Sequence, residues 1–403
     1  MTSDARAALL CLSVNMLAFF VFLSLASLGA CQSCSQCQPL QLEPDMELEK
    51  QPRLPDPFLR FNGERIEKKS DWACRRKELS QLFQQYVYGI IPGKPETFNT
   101  FMNGTSIVVE AGNGNKTLSF AAEIALPLTG EVPYPAVLAI EGVSFPVPDG
   151  VAVITYRNGE LARQSGGAKF FDIYGRDLHT GDYAVASWGI SRLIDALELL
   201  PESNIDTSRL AVTGCSRNGR AALVAGAMDE RISITLPQEA GLGGDACWRI
   251  VEEELSKGRR ICITSCLQPD PTGLRPDFPG RDFVGLPVDQ HELAAMIAPR
   301  ALLVLLNDID WLQPLAAYTC MKAAHRVWEA LGVPDRMGVS FVGGHNHCAF
   351  SERQSDILNA YIQKYLVGSD VDFDTGGFEV NITGVFNELD FSWWVPWDPL
   401  ELE

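Results

Sequence analysis

Hydrophobic and polar positions change period several times along the chain, and each change marks an element. Apolar residues at helical spacing from Trp72 to Tyr88 predict a helix. Alternation over Thr105–Ala111 and Thr117–Ala125, around Gly112-Asn113-Gly114-Asn115, predicts a β-hairpin. Tyr134–Ile140 and Val151–Tyr156 are short apolar runs that read as buried strands. Tyr183 to Leu200 returns to helical spacing, and Leu210–Val212 to strand. Ala301–Leu306 and Val339–Val342 supply further strands, with helices at Pro314–Leu331 and Ser355–Leu366. Strands alternating with helices imply a mostly parallel sheet covered on both faces, a three-layer α/β sandwich. No internal repeat and no linker to a second module breaks this pattern.

The N-terminus has a different character. Ala7 to Ala30 is almost wholly apolar, with Arg6 as its basic flank and Ser27-Leu28-Gly29-Ala30 as a small-residue end. Residues 1–30 therefore read as a signal peptide or, given their length, an uncleaved signal anchor. Leu28-Gly29-Ala30-Cys31 also loosely resembles a bacterial lipoprotein cleavage site. Residues 31–53 read as an extended polar arm, and 54–403 as the folded catalytic domain. Sequons at Asn103, Asn115 and Asn381 join the leader in pointing to a eukaryotic secreted glycoprotein. The expected location is extracellular, with tethering by an uncleaved anchor as the alternative. No second long apolar segment follows, so no membrane contact is expected after leader removal.

Composition changes the picture at three points. The roughly 370 residues beyond the leader can form one large α/β domain, and 46% of the chain is hydrophobic, enough for a full core. A net charge of -18 argues against nucleic acid and anionic membranes as partners. Of the 11 cysteines, those with partners are expected to be bridged rather than free in an oxidising compartment, while Cys262 and Cys266 form a local Cys-x-x-x-Cys without an assigned role.

The chemistry begins at Thr213-Gly214-Cys215-Ser216-Arg217-Asn218-Gly219, between the apolar run Leu210–Val212 and a small-residue helix. A serine between glycines at a strand-to-helix turn is the arrangement of a nucleophile elbow, although the second glycine comes one residue late for Gly-x-Ser-x-Gly. An α/β-hydrolase triad runs Ser, acid, His along the chain. The late glycine-rich loop Gly343-Gly344-His345-Asn346-His347-Cys348 offers the histidine. Of the five histidines, His291 and His325 lie in helix-like segments and read as surface or core residues, and His179 reads as a loop residue. His345 and His347 have no companion cluster that would complete a zinc site, so no metal is expected.

These segments, with Leu236-Pro237-Gln238-Glu239-Ala240-Gly241, Gly244 to Ile250 and Asn307-Asp308-Ile309-Asp310-Trp311-Leu312, resemble the fungal-type glucuronoyl esterases, carbohydrate esterase family fifteen. The likeness extends to Leu54–Phe58, Asp71–Arg76, Ser187–Arg192 and Met337–Ser340. The resemblance implies an α/β-hydrolase fold, Ser216 as nucleophile, His347 as general base, Glu239 as triad acid and Arg217 as oxyanion stabiliser. Asp308, after the strand Ala301–Leu306, stands where α/β-hydrolases more often carry the acid and remains the alternative. The resemblance also implies the disulfides Cys215–Cys348 and Cys247–Cys320, and a bridge from Cys74 to the N-terminal cluster fits at Cys37.

The sugar shell departs from the family. Arg220 stands in place of a lysine, Cys262 in place of a glutamine, and Asp270 near a glutamate; the segment Gln268 to Gly280 lacks the family's aromatic stretch. Trp311 is retained, either as a sugar platform or as a core tryptophan at a strand end. The aromatic tail Phe391–Trp397 is expected to pack on the domain. The expected protein is a monomeric serine esterase without cofactor, acting on esters of (4-O-methyl-)glucuronic acid or another uronate in a polysaccharide. The alternatives are a serine esterase for a different glycan ester and a glycan-binding protein with weak catalysis.

Overall fold

Parallel strands need crossovers, and this chain supplies a helix for most of them. The computed structural model describes residues 37, 40–42, 48–162, 169–258, 273–276, 278, 283–382, 388–397 and 401–403. Residues 1–38 and 39–403 are separate compact units. The strands are β1 (Thr97–Asn103), β2 (Ser106–Asn113), β3 (Lys116–Ala125), β4 (Tyr134–Ile140), β5 (Ala152–Tyr156), β6 (Ile205–Cys215), β7 (Ile234–Gln238), β8 (Ala301–Leu306), β9 (Met337–Val342) and β10 (Phe378–Asn381). The helices are α1 (Lys69–Phe83), α2 (Lys169–Tyr174), α3 (Asp182–Leu199), α4 (Arg217–Met228), α5 (Trp248–Ser256), α6 (Gln290–Ala295), α7 (Pro314–Ala330), α8 (Ser355–Ile362) and α9 (Phe391–Trp394).

All ten strands join one sheet in the order β1-β2-β3-β5-β4-β6-β7-β8-β9-β10. The first three are antiparallel, and pairing is parallel from β5 through β10. Side-chain alternation sends each strand's residues to two cores. Leu138, Val212, Val304 and Phe341 join the larger core with α1, α3, α4 and α7. Val137, Ala211, Leu236, Leu303 and Leu305 join the smaller one with α8. This is the mixed, mostly parallel α/β-hydrolase sandwich expected. The hydrophobic pattern missed β1 and β10, because neither has a fully buried face: both alternate only between exposed and half-buried positions.

In the aromatic tail, Trp394 and Trp397 are buried and Trp397 Nε1 donates to Leu54 O, whereas Trp393 is exposed beneath the Arg53 guanidinium. Among the described residues no helix is long and apolar enough to cross a membrane. Cys262, Cys266 and Asp270 lie outside the described residues.

His291 is a core histidine. Its Nε2–H donates to Pro55 O at 2.8 Å and its ring stacks on Trp397. Burial lowers its pKa from 6.5 to about 4. A histidine held neutral contributes stability above its unfolded pKa, and loses it as pH falls from 6.5 toward 4. Burial pushes Asp245 and Glu292 up to about 7, which acts in the opposite sense. Comparison with His291→Gln isolates the histidine. Wild type is expected to lose about 3 kcal/mol of unfolding free energy relative to the variant between pH 7 and pH 4, read by denaturant titration.

Candidate active site

The candidate residues sit on loops at the carboxyl ends of adjacent parallel strands β6 to β9, where open α/β sheets place their ligand sites. Ser216 alone separates β6 from α4. Its backbone has φ 61° and ψ −124°, a conformation side-chain-bearing residues rarely adopt. Two bonds fix it: its N–H donates to Gln238 O at 2.9 Å, and its C=O accepts the Arg220 N–H at 3.0 Å. The displaced glycine has a physical reason. A Cβ on Gly219 would lie 2.7 Å from Gln238 O, so glycine lets α4 approach β7 closely. The first N–H groups of α4 have no partner within the helix and are available to an anion beside Ser216.

Glu239 follows β7 at φ 48°, with its N–H donating to Leu305 O. The buried Asp245 accepts the next two amides, Ala240 N–H at 3.1 Å and Gly241 N–H at 2.7 Å, and so clamps the turn. The Glu239 side chain is 1% exposed. Its Oε2 lies 2.7 Å from His347 Nδ1 and accepts the Cys348 N–H at 3.0 Å. With Nδ1–H held by the carboxylate, Nε2 of His347 is the nitrogen left to take a proton. Gln238 Nε2 approaches Glu239 Oε1 at 3.4 Å, while Gln238 Oε1 accepts the Ser144 hydroxyl.

The disulfide Cys215–Cys348 joins the residue before Ser216 to the residue after His347, with a Cα separation of 5.8 Å. Its sulfurs and a His347 ring nitrogen lie within 4.8 Å of one another. Bridged sulfurs are not thiolates, so this group is no metal site. Cys247–Cys320 is also present, and Cys37 and Cys74 are both disulfide-bonded.

Asp308 lies elsewhere in the same loop cluster. Its Oδ1 accepts the Gly344 N–H at 2.9 Å, and its carboxylate packs where a Cβ on Gly343 would be. It thereby supports the histidine loop, while the carboxylate on His347 is that of Glu239. Trp311, 36% exposed, sets its ring edge-on to His347 at 4.6 Å. Arg217 is exposed, and its guanidinium makes no hydrogen bond or ion pair to any described residue. Arg220 is half-buried: Nε donates to Ala240 O at 2.7 Å and Nη1 to Tyr183 Oη at 3.0 Å. Sequence reasoning missed Gln238, Asn307, Ser144 and Asp245 around Glu239. The available signal was a polar residue at the end of an otherwise apolar strand, as Gln238 ends β7 and Asn307 follows β8.

This geometry has known counterparts. A family model described as glucuronyl esterase, fungi, matches residues 109–332. The chain is 44% identical over 325 residues to a 4-O-methyl-glucuronoyl methylesterase of Hypocrea jecorina, covering 78% of this chain and 70% of that protein. The glucuronoyl esterase catalytic domain solved from Hypocrea jecorina superposes with a TM-score of 0.84 at 40% identity, covering 90% of this chain and all of that one. A serine-to-alanine variant from Sporotrichum thermophile, solved with methyl 4-O-methyl-beta-D-glucopyranuronate, gives 0.83 at 38% identity over 91% of this chain and 100% of that one. Identity of this extent, spread over the whole sandwich and joined to a matched family model, leaves one conclusion: the chain belongs to the fungal glucuronoyl esterase family.

Proposed function

We propose that this protein is a serine carboxylic-ester hydrolase that cleaves esters of (4-O-methyl-)glucuronic acid in a uronate-bearing polysaccharide. One observation carries the reading: a serine in a strained elbow is cross-linked through Cys215–Cys348 to a histidine whose Nδ1 lies 2.7 Å from a buried carboxylate. Ser216 Oγ attacks the ester carbonyl, and His347 Nε2 takes its proton. Glu239 stabilises the resulting imidazolium. The Arg217 N–H and guanidinium receive the oxyanion, and a cation beside the nucleophile suits an acyl group that is a sugar carboxylate. Collapse of the tetrahedral intermediate breaks the C–O bond, and His347 returns the proton to the leaving alcohol. Water then enters by the same path in reverse and frees Ser216 and the uronic acid.

Trp311 is assigned to the sugar ring, and Asp270 to a sugar hydroxyl. Arg220 is assigned a supporting role at that shell, given its bonds to Ala240 and Tyr183. The leader, the sequons and the disulfides support a secreted protein.

The test is release of glucuronic acid from benzyl glucuronate by the secreted protein, paired with labelling by a serine-directed fluorophosphonate. Release with labelling is the expected result. Labelling without release would move the reading to a different glycan ester. Failure of both in folded protein would overturn the hydrolase and leave the glycan binder.

A further inference from the structure

A second imidazole lies against the Glu239 carboxylate. His345 Nδ1 is 3.7 Å from Glu239 Oε1, on the side of the carboxylate away from the bond to His347. The His345 side chain is 12% exposed and its surroundings are mostly acceptors. Its Nε2 lies 2.9 Å from Val342 O, a carbonyl that only accepts, so Nε2 carries a proton. Its Nδ1 lies 3.2 Å from Asn346 O as well as close to Glu239. Both ring nitrogens thus face groups that would welcome an imidazolium.

One group opposes this. Asn307, 1% exposed, brings its side-chain Nδ2 to 3.2 Å from His345 Nδ1. The amide cannot be turned around, because its Oδ1 accepts the Asp308 N–H at 2.8 Å and that backbone group can only donate. The same Nδ2 donates its other hydrogen to His345 O at 3.2 Å. The Asn307 amide therefore presents an N–H to Nδ1 and is satisfied only by a bare ring nitrogen. The charged groups around this loop are few. Glu239 faces it from the turn after β7, Asp308 from the turn after β8, and His347 from the loop itself. Arg353, before α8, donates to Gly343 O.

We propose that Asn307 is a positioning residue: it holds His345 neutral and thereby reserves Glu239 for His347. A His345 imidazolium would share the Glu239 charge and repel the His347 imidazolium that forms during turnover, weakening the general base where it is needed. This rests on the esterase reading above.

Asn307→Asp is the informative change. It keeps an oxygen for the Asp308 N–H but replaces the donor facing Nδ1 with an acceptor, so both His345 nitrogens are then asked to donate. At pH 7 kcat on benzyl glucuronate is expected to fall about tenfold with KM unchanged, and to recover as the pH is raised toward 9. The double variant Asn307→Asp with His345→Gln, which removes the second ring, is expected to restore kcat at pH 7. A purely structural lesion would respond neither to pH nor to the second substitution. Nitrogen NMR of the imidazoles reads the state directly, with or without turnover. Wild-type His345 should show one protonated and one bare nitrogen at pH 7, and Asn307→Asp two protonated ones. Two protonated nitrogens in wild type, or an Asn307→Asp variant with wild-type kcat and pH profile, would overturn the proposal. An inactive wild type would instead sink the esterase reading itself.

Discussion

Ser216→Ala is expected to lower kcat on a glucuronate ester by about a millionfold, with KM little changed. The serine supplies the only covalent route through the elbow, so what remains is the slow hydrolysis allowed by binding and oxyanion contacts. Glu239→Gln should cost about ten-thousandfold, because an amide presented to His347 Nδ1 can select the wrong tautomer. Asp308→Asn should leave kcat close to wild type, since the Asp308 carboxylate accepts the Gly344 N–H at 2.9 Å and the asparagine oxygen can do the same. Single-turnover and steady-state kinetics on the purified variants check all three. If Asp308→Asn were as damaging as Glu239→Gln, the acid would have been assigned to the wrong strand.

Removing the Cys215–Cys348 bridge is the second large effect, and it should appear in two measurements at once. The bridge spans 133 residues, so it restricts the unfolded chain strongly. Replacing both cysteines by alanine is expected to lower unfolding free energy by about 4 kcal/mol. It should also lower kcat about a hundredfold, because the bridge fixes the loop of the base against that of the nucleophile, and a displacement near 1 Å is enough for such a loss. Removing Cys247–Cys320, which spans 73 residues and joins the start of α5 to α7, provides the comparison. It should cost similar stability and much less kcat. Equal losses of kcat in the two variants would mean that the first bridge acts only through global stability.

Most strands of the middle of the sheet were legible because each carries an apolar run, whereas β7, interrupted by Thr235 and Pro237, was reached only through the family resemblance. Ala301–Leu306 is buried at every position. The edge strands were not, since Thr97–Asn103 covers little of the core. Ser216 and the pair His345 and His347 leave local signatures, glycines at the elbow and a glycine-rich loop, whereas the choice of His347 within the pair and of Glu239 as the acid came from the family resemblance. The groups that support them leave none. Asp245 holds two backbone amides and Asn307 orients a ring, and both do so through contacts set by the fold. Arg220 reads as a sugar contact through the family resemblance, and the fold adds what the sequence did not show, that its guanidinium donates to Ala240 O and Tyr183 Oη.

Three side-chain-bearing residues of this site, Ser216, Glu239 and Cys348, have φ of 61°, 48° and 61°, in the region where glycine is the relaxed occupant. Each position holds the nucleophile, the acid or the bridge instead, so conformational ease and chemistry pull against each other there. A lineage released from the need for turnover would find stabilising substitutions waiting at Ser216 and Glu239, while Cys348 would still be kept by the stability its bridge supplies. Glycine at either of the first two in a relative would therefore mark a protein that kept the sandwich and gave up the reaction.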